Sequence, residues 1–381
     1  MKILVTGNMG YVGPGVVRQL RRAYPQAAIA GLDMGYFSHC LTNARQLPEC
    51  SLDVQYFGDV RTPPEAALAN ADAVVYLAAI SNDPMGQQFE QATLDVNYHA
   101  AFRLARAAKR AGARMFVLAS SCSVYGFAES GARTEHSEVN PLTVYARSKV
   151  LAESALAAEA DDSFRVTCLR FGTACGMSPR LRLDLVLNDF VAGAMASQRI
   201  SVLSDGSPWR PLIHVRDMAR AIEWAVGREA GASGNFLIVN AGSDAWNLQV
   251  KDLAETVAEV IPGVEVSINR SAQPDRRSYR VDFSLFRELA PCHQPQSDLK
   301  ATIAELRDSL ESMGFRDADF RNSQLIRLKV LADLRSQGRL TPDLCWADDA
   351  RIERTAGNER SSGLTVVLGT GAHERAAGGT L

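Results

Sequence analysis

Three glycines near the N-terminus constrain the fold of this chain more than any other feature. They lie in Gly7-Asn8-Met9-Gly10-Tyr11-Val12-Gly13, between an apolar segment, Lys2–Thr6, and an amphipathic one, Tyr11–Arg22. A strand that passes through such a turn into a helix brings backbone N–H groups and the positive end of the helix dipole to one point. Because glycine allows close backbone approach, the pattern predicts a site for the pyrophosphate of a dinucleotide.

An acidic residue follows at the spacing that dinucleotide sites require. Asp33 ends a second apolar segment, Ala28–Asp33, and can accept both hydroxyls of an adenosine ribose. Along the chain, the next Arg or Lys after Asp33 is Arg45. A 2′-phosphate would therefore meet a negative charge, so the sequence predicts NAD rather than NADP. Further predicted cofactor contacts are Asp59, for the adenine amino group, and the small or apolar pair Leu77 and Ala78.

The first part of the chain alternates short apolar segments with longer amphipathic ones. Continuous apolar runs are typical of strands buried on both faces of a parallel sheet, and right-handed helical crossovers wind them into a doubly wound α/β sheet, the Rossmann fold. The predicted strands are Lys2–Thr6, Ala28–Asp33, Val54–Phe57, Ala73–Leu77, Met115–Ser120 and Val166–Phe171, and the predicted helices are Tyr11–Arg22, Glu90–Ala111 and Val144–Ala158.

The rest of the chain predicts a smaller α+β lobe for the substrate. We expect a dinucleotide-binding domain at 1–176, to which later segments can return, a substrate lobe at 177–315 and a helical extension at 316–350. A Gly-, Thr-, Ala- and Arg-rich tail at 351–381 predicts disorder. The lobe's predicted elements are helices near Leu183–Ala196, Val215–Val226, Val250–Val260 and Leu299–Met313, with strands Phe236–Val239 and Val264–Ile268; the extension has a predicted helix at Asn322–Gln337.

Composition excludes several classes of function. The 41 basic residues nearly balance the 43 acidic ones, so no basic field predicts nucleic-acid binding. No apolar run approaches the roughly 18 residues of a membrane span. Seven cysteines and six histidines form no metal-binding motif, so we expect no metal site. The odd cysteine count in a long chain favours the reducing cytoplasm.

Two polar motifs suggest proton transfer beside the dinucleotide. Tyr145 and Lys149 are four residues apart and share one face of a predicted helix. The phenol's ordinary pKa is near 10, but a nearby ammonium and an oxidised nicotinamide both favour the phenolate. The segment 119–126, with its serines, lies at the carboxyl end of the fifth predicted strand, where ligands of such sheets bind. A serine hydroxyl there can hydrogen-bond the reacting oxygen.

Together these motifs resemble the extended short-chain dehydrogenase/reductase family, and within it the NAD-dependent nucleotide-sugar epimerases and dehydratases. The resemblance covers about residues 1–315 and rests on the glycine pattern, Asp33, Leu77-Ala78-Ala79, Asn97, Ser-Ser-x-x-Val-Tyr-Gly at 120–126, and Tyr145 with Lys149. It implies that Ser121 is the catalytic hydroxyl, that Tyr145 is the acid/base, and that Lys149 binds the nicotinamide ribose and tunes Tyr145. It also implies a homodimer formed by the helices at 90–111 and 144–158.

The residues after Ser121 bear on the reaction. Family dehydratases carry Asp-Glu there and decarboxylating members keep the Glu, whereas this chain has Cys122 and Ser123. Without a carboxylate, elimination loses its general acid and base. We therefore expect an epimerase that oxidises C4 of a nucleotide sugar transiently and returns hydride to the other face, with Cys122 as a further candidate acid or base. The alternatives are a 4,6-dehydratase, a 4-ketoreductase, and a non-catalytic NAD-binding regulatory module.

The resemblance also implies contacts to the substrate. Arg210, shortly before Ile213-His214-Val215, matches a phosphate-binding arginine, and Arg277, in the segment 275–282, matches a second one near the diphosphate, with a shift of one residue left open. Thr173 stands where family members often carry Asn, and offers fewer hydrogen-bond donors. His214 and Asp217 are predicted to cap and anchor the helix that follows.

Overall fold

The computed structural model of the chain describes residues 1–229, 231–272 and 277–347. The predicted tail at 351–381 and the last three residues of the predicted extension lie outside the described residues. The fourteen strands found in the described residues are, in chain order, β1 (Lys2–Thr6), β2 (Ala28–Asp33), β3 (Val54–Phe57), β4 (Ala73–Tyr76), β5 (Met115–Ser121), β6 (Phe127–Arg133), β7 (Arg165–Phe171), β8 (Thr173–Cys175), β9 (Arg199–Val202), β10 (Trp209–His214), β11 (Phe236–Ala241), β12 (Asn247–Gln249), β13 (Glu265–Ile268) and β14 (Ser278–Val281).

The helices connect these strands and cover the sheets. The twelve α-helices of the described ranges are α1 (Gly13–Ala23), α2 (Glu65–Leu68), α3 (Asp83–Gln88), α4 (Glu90–Leu94), α5 (Ala101–Arg110), α6 (Val144–Ala157), α7 (Val186–Ser197), α8 (Val215–Gly227), α9 (Val250–Val260), α10 (Ser284–Leu289), α11 (Leu299–Ser312) and α12 (Arg327–Ser336).

Seven strands form one parallel sheet, in the order β11-β7-β5-β4-β1-β2-β3. Its central strands consist of fully buried apolar residues such as Ile3, Val75 and Phe116, as expected for strands covered on both faces. The predicted Rossmann fold is confirmed, and β1, β2 and β3 have the predicted bounds. Because β2 and β4 lie on opposite sides of β1, the strand order reverses there, and a crevice opens beyond the carboxyl ends of the strands.

Two segments that the sequence placed in the substrate lobe return to this sheet. β11 pairs in parallel with β7, with Val239 opposite Leu169. α8 packs against α1, over the same sheet. A short-range pattern can identify an element, but it does not reveal which distant element that element pairs with.

The predicted helix Glu90–Ala111 is interrupted rather than continuous. α4 and α5 flank a π-helical segment, Asp95–Ala100, a rare geometry that is frequent near functional sites. Within it, Asn97 bonds the backbone N–H and C=O of Ile80 and donates 3.0 Å to Ser148 Oγ on α6. This side chain therefore ties the end of β4 to α6.

The remaining strands form three small sheets, β12-β10-β8, β13-β9 and β14-β6. The sequence missed six strands, β6, β8, β9, β10, β12 and β14, and α12 begins at Arg327 rather than at Asn322. The chain divides into two compact units, Met1–Asp333 and Leu334–Leu381. The first contains everything described below, and the domain boundaries at 176 and 315 within it stay predictions. In the second, a bridge pairs Leu340 with Trp346.

Candidate active site

One cavity lies beyond the carboxyl ends of the main strands. The predicted site residues that line it are Gly7, Gly10, Gly13, Asp33, Asp59, Leu77, Ala78, Ser121, Tyr145, Lys149, Thr173, Arg210 and Arg277. The structure therefore brings together residues from both halves of the chain. The predicted site residue that it does not place on the cavity wall is Cys122.

The glycine turn fits a group that approaches the backbone closely. Gly7 has φ +71°, and a Cβ built there would lie 2.6 Å from the backbone nitrogen of Ala78. A Cβ at Gly13 would lie 2.1 Å from the carbonyl oxygen of Asn8. α1 starts at Gly13 without a side-chain cap, so its N-terminal dipole faces the turn unopposed. These features suit a pyrophosphate.

Asp33 lies at the end of β2 with both carboxylate oxygens positioned by backbone. Oδ2 accepts a hydrogen bond from Met9 N at 3.0 Å, and Oδ1 accepts one from Gly35 N at 2.8 Å. Each oxygen keeps a lone pair for a ribose hydroxyl. Burial raises the pKa of Asp33, while these backbone bonds and the charge of Arg180 oppose the rise. Arg180 is distant from Asp33 along the chain, so the sequence around Asp33 does not reveal this cation.

Asp59 lies after β3 and also lines the cavity. Its carboxylate accepts bonds from Arg61 N and Arg61 Nε, each at 2.8 Å. A carboxylate has about four lone-pair sites, so this pair leaves room for an adenine amino group. The role of Asp59 stays a prediction.

Ser121, Tyr145 and Lys149 meet where β5 ends and α6 begins. Thr143 caps α6 by accepting from Ala146 N at 3.1 Å, which fixes the first turn that carries Tyr145. Lys149 Nζ lies 5.7 Å from the centroid of the Tyr145 ring and donates 2.8 Å to the carbonyl of Ala119. The Ser121 hydroxyl is close enough to Tyr145 to lower the pKa of the phenol. The predicted triad thus shares one wall of the cavity.

The electrostatics of Tyr145 involve residues that the sequence did not single out. Burial raises the pKa of Tyr145 to about 12; the Ser121 hydroxyl and the charge of Arg182 lower it, and Asp83 raises it. Burial also lowers the pKa of Lys149 to about 8. In this structure, Arg182 is therefore a cation that favours the phenolate, a task the sequence assigned to Lys149.

Arg182 is held rigidly beside the cavity. Its Nε and Nη2 each bond Asp184 at 2.9 Å, and Nη1 donates 2.9 Å to Ser81 Oγ. Asn82 Nδ2 donates a hydrogen bond to Asp184 Oδ2, also at 2.9 Å. The sequence shows Arg182 only as one member of a basic stretch with Arg180, with no sign that it folds inward.

Asp83 is the second residue that sequence reasoning missed. Its Oδ1 accepts from Thr143 at 2.7 Å and its Oδ2 pairs with Arg277 Nη1 at 2.6 Å. It opens α3, for which Asn82 is the N-cap and Pro84 lies in the first turn. An Asn cap followed by proline is a recognisable helix start, so this signal could have placed a carboxylate at the end of β4.

Cys122 and Ser123 point to different surroundings. Cys122 is fully buried and donates 3.2 Å to the carbonyl of Arg170, and burial raises the pKa of its thiol. Ser123 lines the cavity, and its buried hydroxyl has no hydrogen-bond partner among the described residues. We therefore give Cys122 a packing role, whereas Ser123 lies on the cavity wall with its hydroxyl buried and without a partner among the described residues.

The predicted substrate residues come from the small sheets. Thr173 begins β8, Arg210 lies on β10 with Nη1 3.0 Å from the carbonyl of Trp209, and Arg277 precedes β14. His214 caps α8 by accepting from Arg216 N at 3.0 Å, and Asp217 accepts from Gln296 N at 2.9 Å, which agrees with their predicted structural roles. Two arginines of the small sheets and their flanking loops thus line the same cavity as the glycine turn.

The described residues contain neither a candidate membrane span nor a candidate metal site. None of the helices in those ranges is both long and apolar enough to cross a membrane. No group of three or more His, Cys, Asp or Glu side chains in the same ranges is arranged to hold a metal ion.

Comparison with known proteins decides the family. The sequence model of the NAD dependent epimerase/dehydratase family matches residues 3–242. The chain belongs to this family. Its membership confirms the resemblance seen in the motifs, and it confirms NAD as the cofactor.

The relatives of this family member catalyse different reactions. A dTDP-glucose 4,6-dehydratase from Streptomyces griseus is 30% identical over 312 residues, 79% of this chain and 93% of that protein. UDP-glucuronic acid decarboxylase 6 from Arabidopsis thaliana is 27% identical over 76% of this chain and 83% of that one. The structure of MoeE5 in complex with UDP-glucuronic acid and NAD matches with a TM-score of 0.68 at 25% identity, over 82% of this chain and 100% of MoeE5.

Proposed function

We propose that the protein epimerises a nucleotide-activated sugar at C4 through a transient 4-ketose. The observation that carries the proposal is the pair of side chains after Ser121. One is a buried thiol turned away from the cavity, and the other is an unpartnered hydroxyl on its wall. A reaction that needs only oxidation, rotation of the ketone and reduction requires no acid or base at these positions.

The residues have separate tasks in this proposal. Bound NAD would supply the hydride acceptor and, when oxidised, a positive charge that favours the phenolate. Tyr145 accepts the proton of the C4 hydroxyl and later returns it, while Ser121 donates a hydrogen bond to the same oxygen. Lys149 binds the nicotinamide ribose, and Arg182 stabilises the negative phenolate.

The diphosphate contacts follow from the arginines. Arg210 and Arg277 line the cavity, and guanidinium groups bind phosphate oxygens through paired N–H donors. Thr173 adds a hydroxyl to the same side. We infer that these three residues hold the substrate so that its sugar lies between Ser121 and Tyr145, with Ser123 as a hydroxyl partner for the sugar.

A 4,6-dehydratase is the second candidate, because Asp83 places a carboxylate on the cavity wall where its charge acts on Tyr145. Against this assignment, both oxygens of Asp83 are already bonded, to Thr143 and Arg277. An elimination would require Asp83 to leave one of these partners.

One NMR experiment separates the candidates. The NAD-loaded protein is incubated with UDP-, dTDP-, GDP- and CDP-hexoses, and the products are followed over time. A mixture of C4 epimers supports the proposal, whereas a 4-keto-6-deoxy product shows dehydration. Absence of turnover with every sugar, despite bound NAD, would favour a regulatory module. A ketoreductase would instead consume reduced cofactor with a 4-keto sugar.

We also propose a homodimer that works in the cytoplasm. The two helical segments that the resemblance assigns to the dimer contact each other, and α6 leaves Leu151 39% exposed. Light scattering of the wild type against Leu151→Glu tests this assignment: the variant is expected to be monomeric. A dimer of unchanged affinity would rule this surface out.

A further inference from the structure

The segment 316–333 follows the part of the chain that resembles the family, and three kinds of contact attach it to the rest of the first unit. Arg321 forms a two-bond ion pair with Asp189, at 2.8 and 2.7 Å. Leu183 N donates 3.0 Å to the carbonyl of Leu325. Phe320 is 1% exposed and packs edge-on against Phe315. This attachment is too extensive for a loosely held appendage.

Arg327 is the most tightly held side chain of this segment. It is 1% exposed, donates 2.8 Å to the carbonyl of Arg180 and 3.3 Å to that of Leu181, and its guanidinium lies 4.6 Å from the centroid of the Phe37 ring. Burial lowers its pKa to about 10, so the group remains charged at neutral pH. The segment therefore brings a fixed cation to the loop that follows Asp33.

Arg327 and Leu331 both line the cavity described above. They lie one helical turn apart on α12, so they share a face. The part of the wall nearest to them includes Phe37, four residues beyond the predicted ribose ligand. Because Phe37 lies in the loop that follows Asp33, we assign this part of the wall to the adenosine end of the cavity.

We propose that Arg327 and Leu331 belong to the dinucleotide site, and that the segment 316–333 closes its adenosine end and retains NAD during turnover. Leu331 supplies an apolar wall, and Arg327 fixes the loop at Phe37 from its place on the cavity wall. Because hydride returns to the same substrate in a redox-neutral reaction, a retained cofactor suits this chemistry. The inference rests on the NAD dependence of the family and not on which sugar reaction the protein performs.

The test measures binding to protein stripped of cofactor. NAD, ADP-ribose and nicotinamide mononucleotide are titrated by calorimetry into the wild type, Leu331→Ala and Arg327→Lys, with UDP-glucose as a probe of the substrate side. Val330→Ala is the matched control, because Val330 is buried on the same helix and is absent from the cavity wall. Thermal unfolding of each variant shows whether the two alanine substitutions destabilise the protein equally.

We expect Leu331→Ala and Arg327→Lys to weaken NAD and ADP-ribose binding by the same factor, about tenfold, and to leave nicotinamide mononucleotide and UDP-glucose within twofold. Val330→Ala is expected to keep wild-type affinity for all four. Equal losses in Leu331→Ala and Val330→Ala, unchanged NAD affinity in both site variants, or weakened UDP-glucose binding alone would each overturn the proposal.

A second test uses only the wild-type protein, so its outcome does not depend on whether a variant folds. Addition of NAD to the stripped protein is expected to slow amide hydrogen exchange in residues 327–333 as well as in the glycine turn. Protection of the turn without protection of 327–333 would overturn the proposal.

Discussion

At the glycine turn the site depends on the course of the backbone, whereas around Tyr145 it depends on side chains from separate segments. Gly7 and Gly13 let the turn pack directly against neighbouring backbone, because they have no Cβ, and Asp33 is oriented by two backbone N–H groups. By contrast, the surroundings of Tyr145 depend on Asp83 and Arg182, which follow β4 and β8 respectively.

The two ends of the cavity are therefore expected to respond to different substitutions. The glycine turn is sensitive to added atoms, because a Cβ at Gly7 or Gly13 would overlap neighbouring backbone. A side-chain site is sensitive to charge, because each group around Tyr145 raises or lowers its pKa. Substitutions that separate cofactor binding from proton transfer therefore test the comparison directly.

The largest expected effect is that of Tyr145→Phe. Removing the phenol removes the acid/base, so we expect kcat to fall by about 10³-fold while NAD affinity stays within twofold. Steady-state kinetics and calorimetry measure the two quantities. Tyr125→Phe is the matched control, since Tyr125 is buried, bonds Asn240 at 2.7 Å and is not among the residues that line the cavity. Equal kcat in the two variants would remove Tyr145 from the chemistry.

Gly7→Ala is expected to lower NAD affinity, the quantity that Tyr145→Phe leaves nearly unchanged. The new Cβ meets the backbone at Ala78, so NAD affinity should fall by about 10²-fold, a loss of roughly 2–3 kcal/mol. Gly314→Ala provides the control, because Gly314 has a similar φ of +65° and no atom within 4 Å of a Cβ. If both variants bind NAD equally well, close approach at Gly7 is not what the site requires.

The same division explains what could be predicted from the sequence. The glycine turn, Asp33 and the Tyr145–Lys149 pair are local patterns whose spacing alone fixes a geometry. Arg182 and Arg327 carry no local signal that distinguishes them from the other basic residues, since their inward orientation depends on contacts with distant segments. The same holds for Cys122. The sequence places it directly after Ser121, but it does not predict the direction in which the thiol points.

Replacement of Arg210 or Arg277, the arginines predicted to bind the diphosphate, is expected to have a smaller effect on the kinetics. The two variants should differ in whether kcat changes as well as KM. Arg210→Ala should raise KM about tenfold with kcat nearly unchanged, because a charge-assisted contact contributes roughly 1.5–3 kcal/mol. Arg277→Ala should raise KM similarly and also lower kcat at neutral pH, since it leaves Asp83 without its cationic partner. The double variant Arg277→Ala/Asp83→Asn should recover kcat but not KM. A kcat that stays low in the double variant would separate Arg277 from the electrostatics of Tyr145.

The smallest expected effect is a shift of the pH profile by charges around Tyr145. The phenolate is the base, so the rate of oxidation rises as pH passes upward through the pKa of Tyr145. Asp83 raises this pKa and Arg182 lowers it, so Asp83→Asn should move the rising limb to lower pH and Arg182→Gln should move it to higher pH. At neutral pH these shifts correspond to rate changes of about three- to tenfold in opposite directions. Arg182→Lys keeps the charge and should leave the limb near its wild-type position. If Asp83→Asn and Arg182→Gln shifted the limb in the same direction, both would act through packing rather than charge. The surroundings of Tyr145 would then depend on shape, as the glycine turn does.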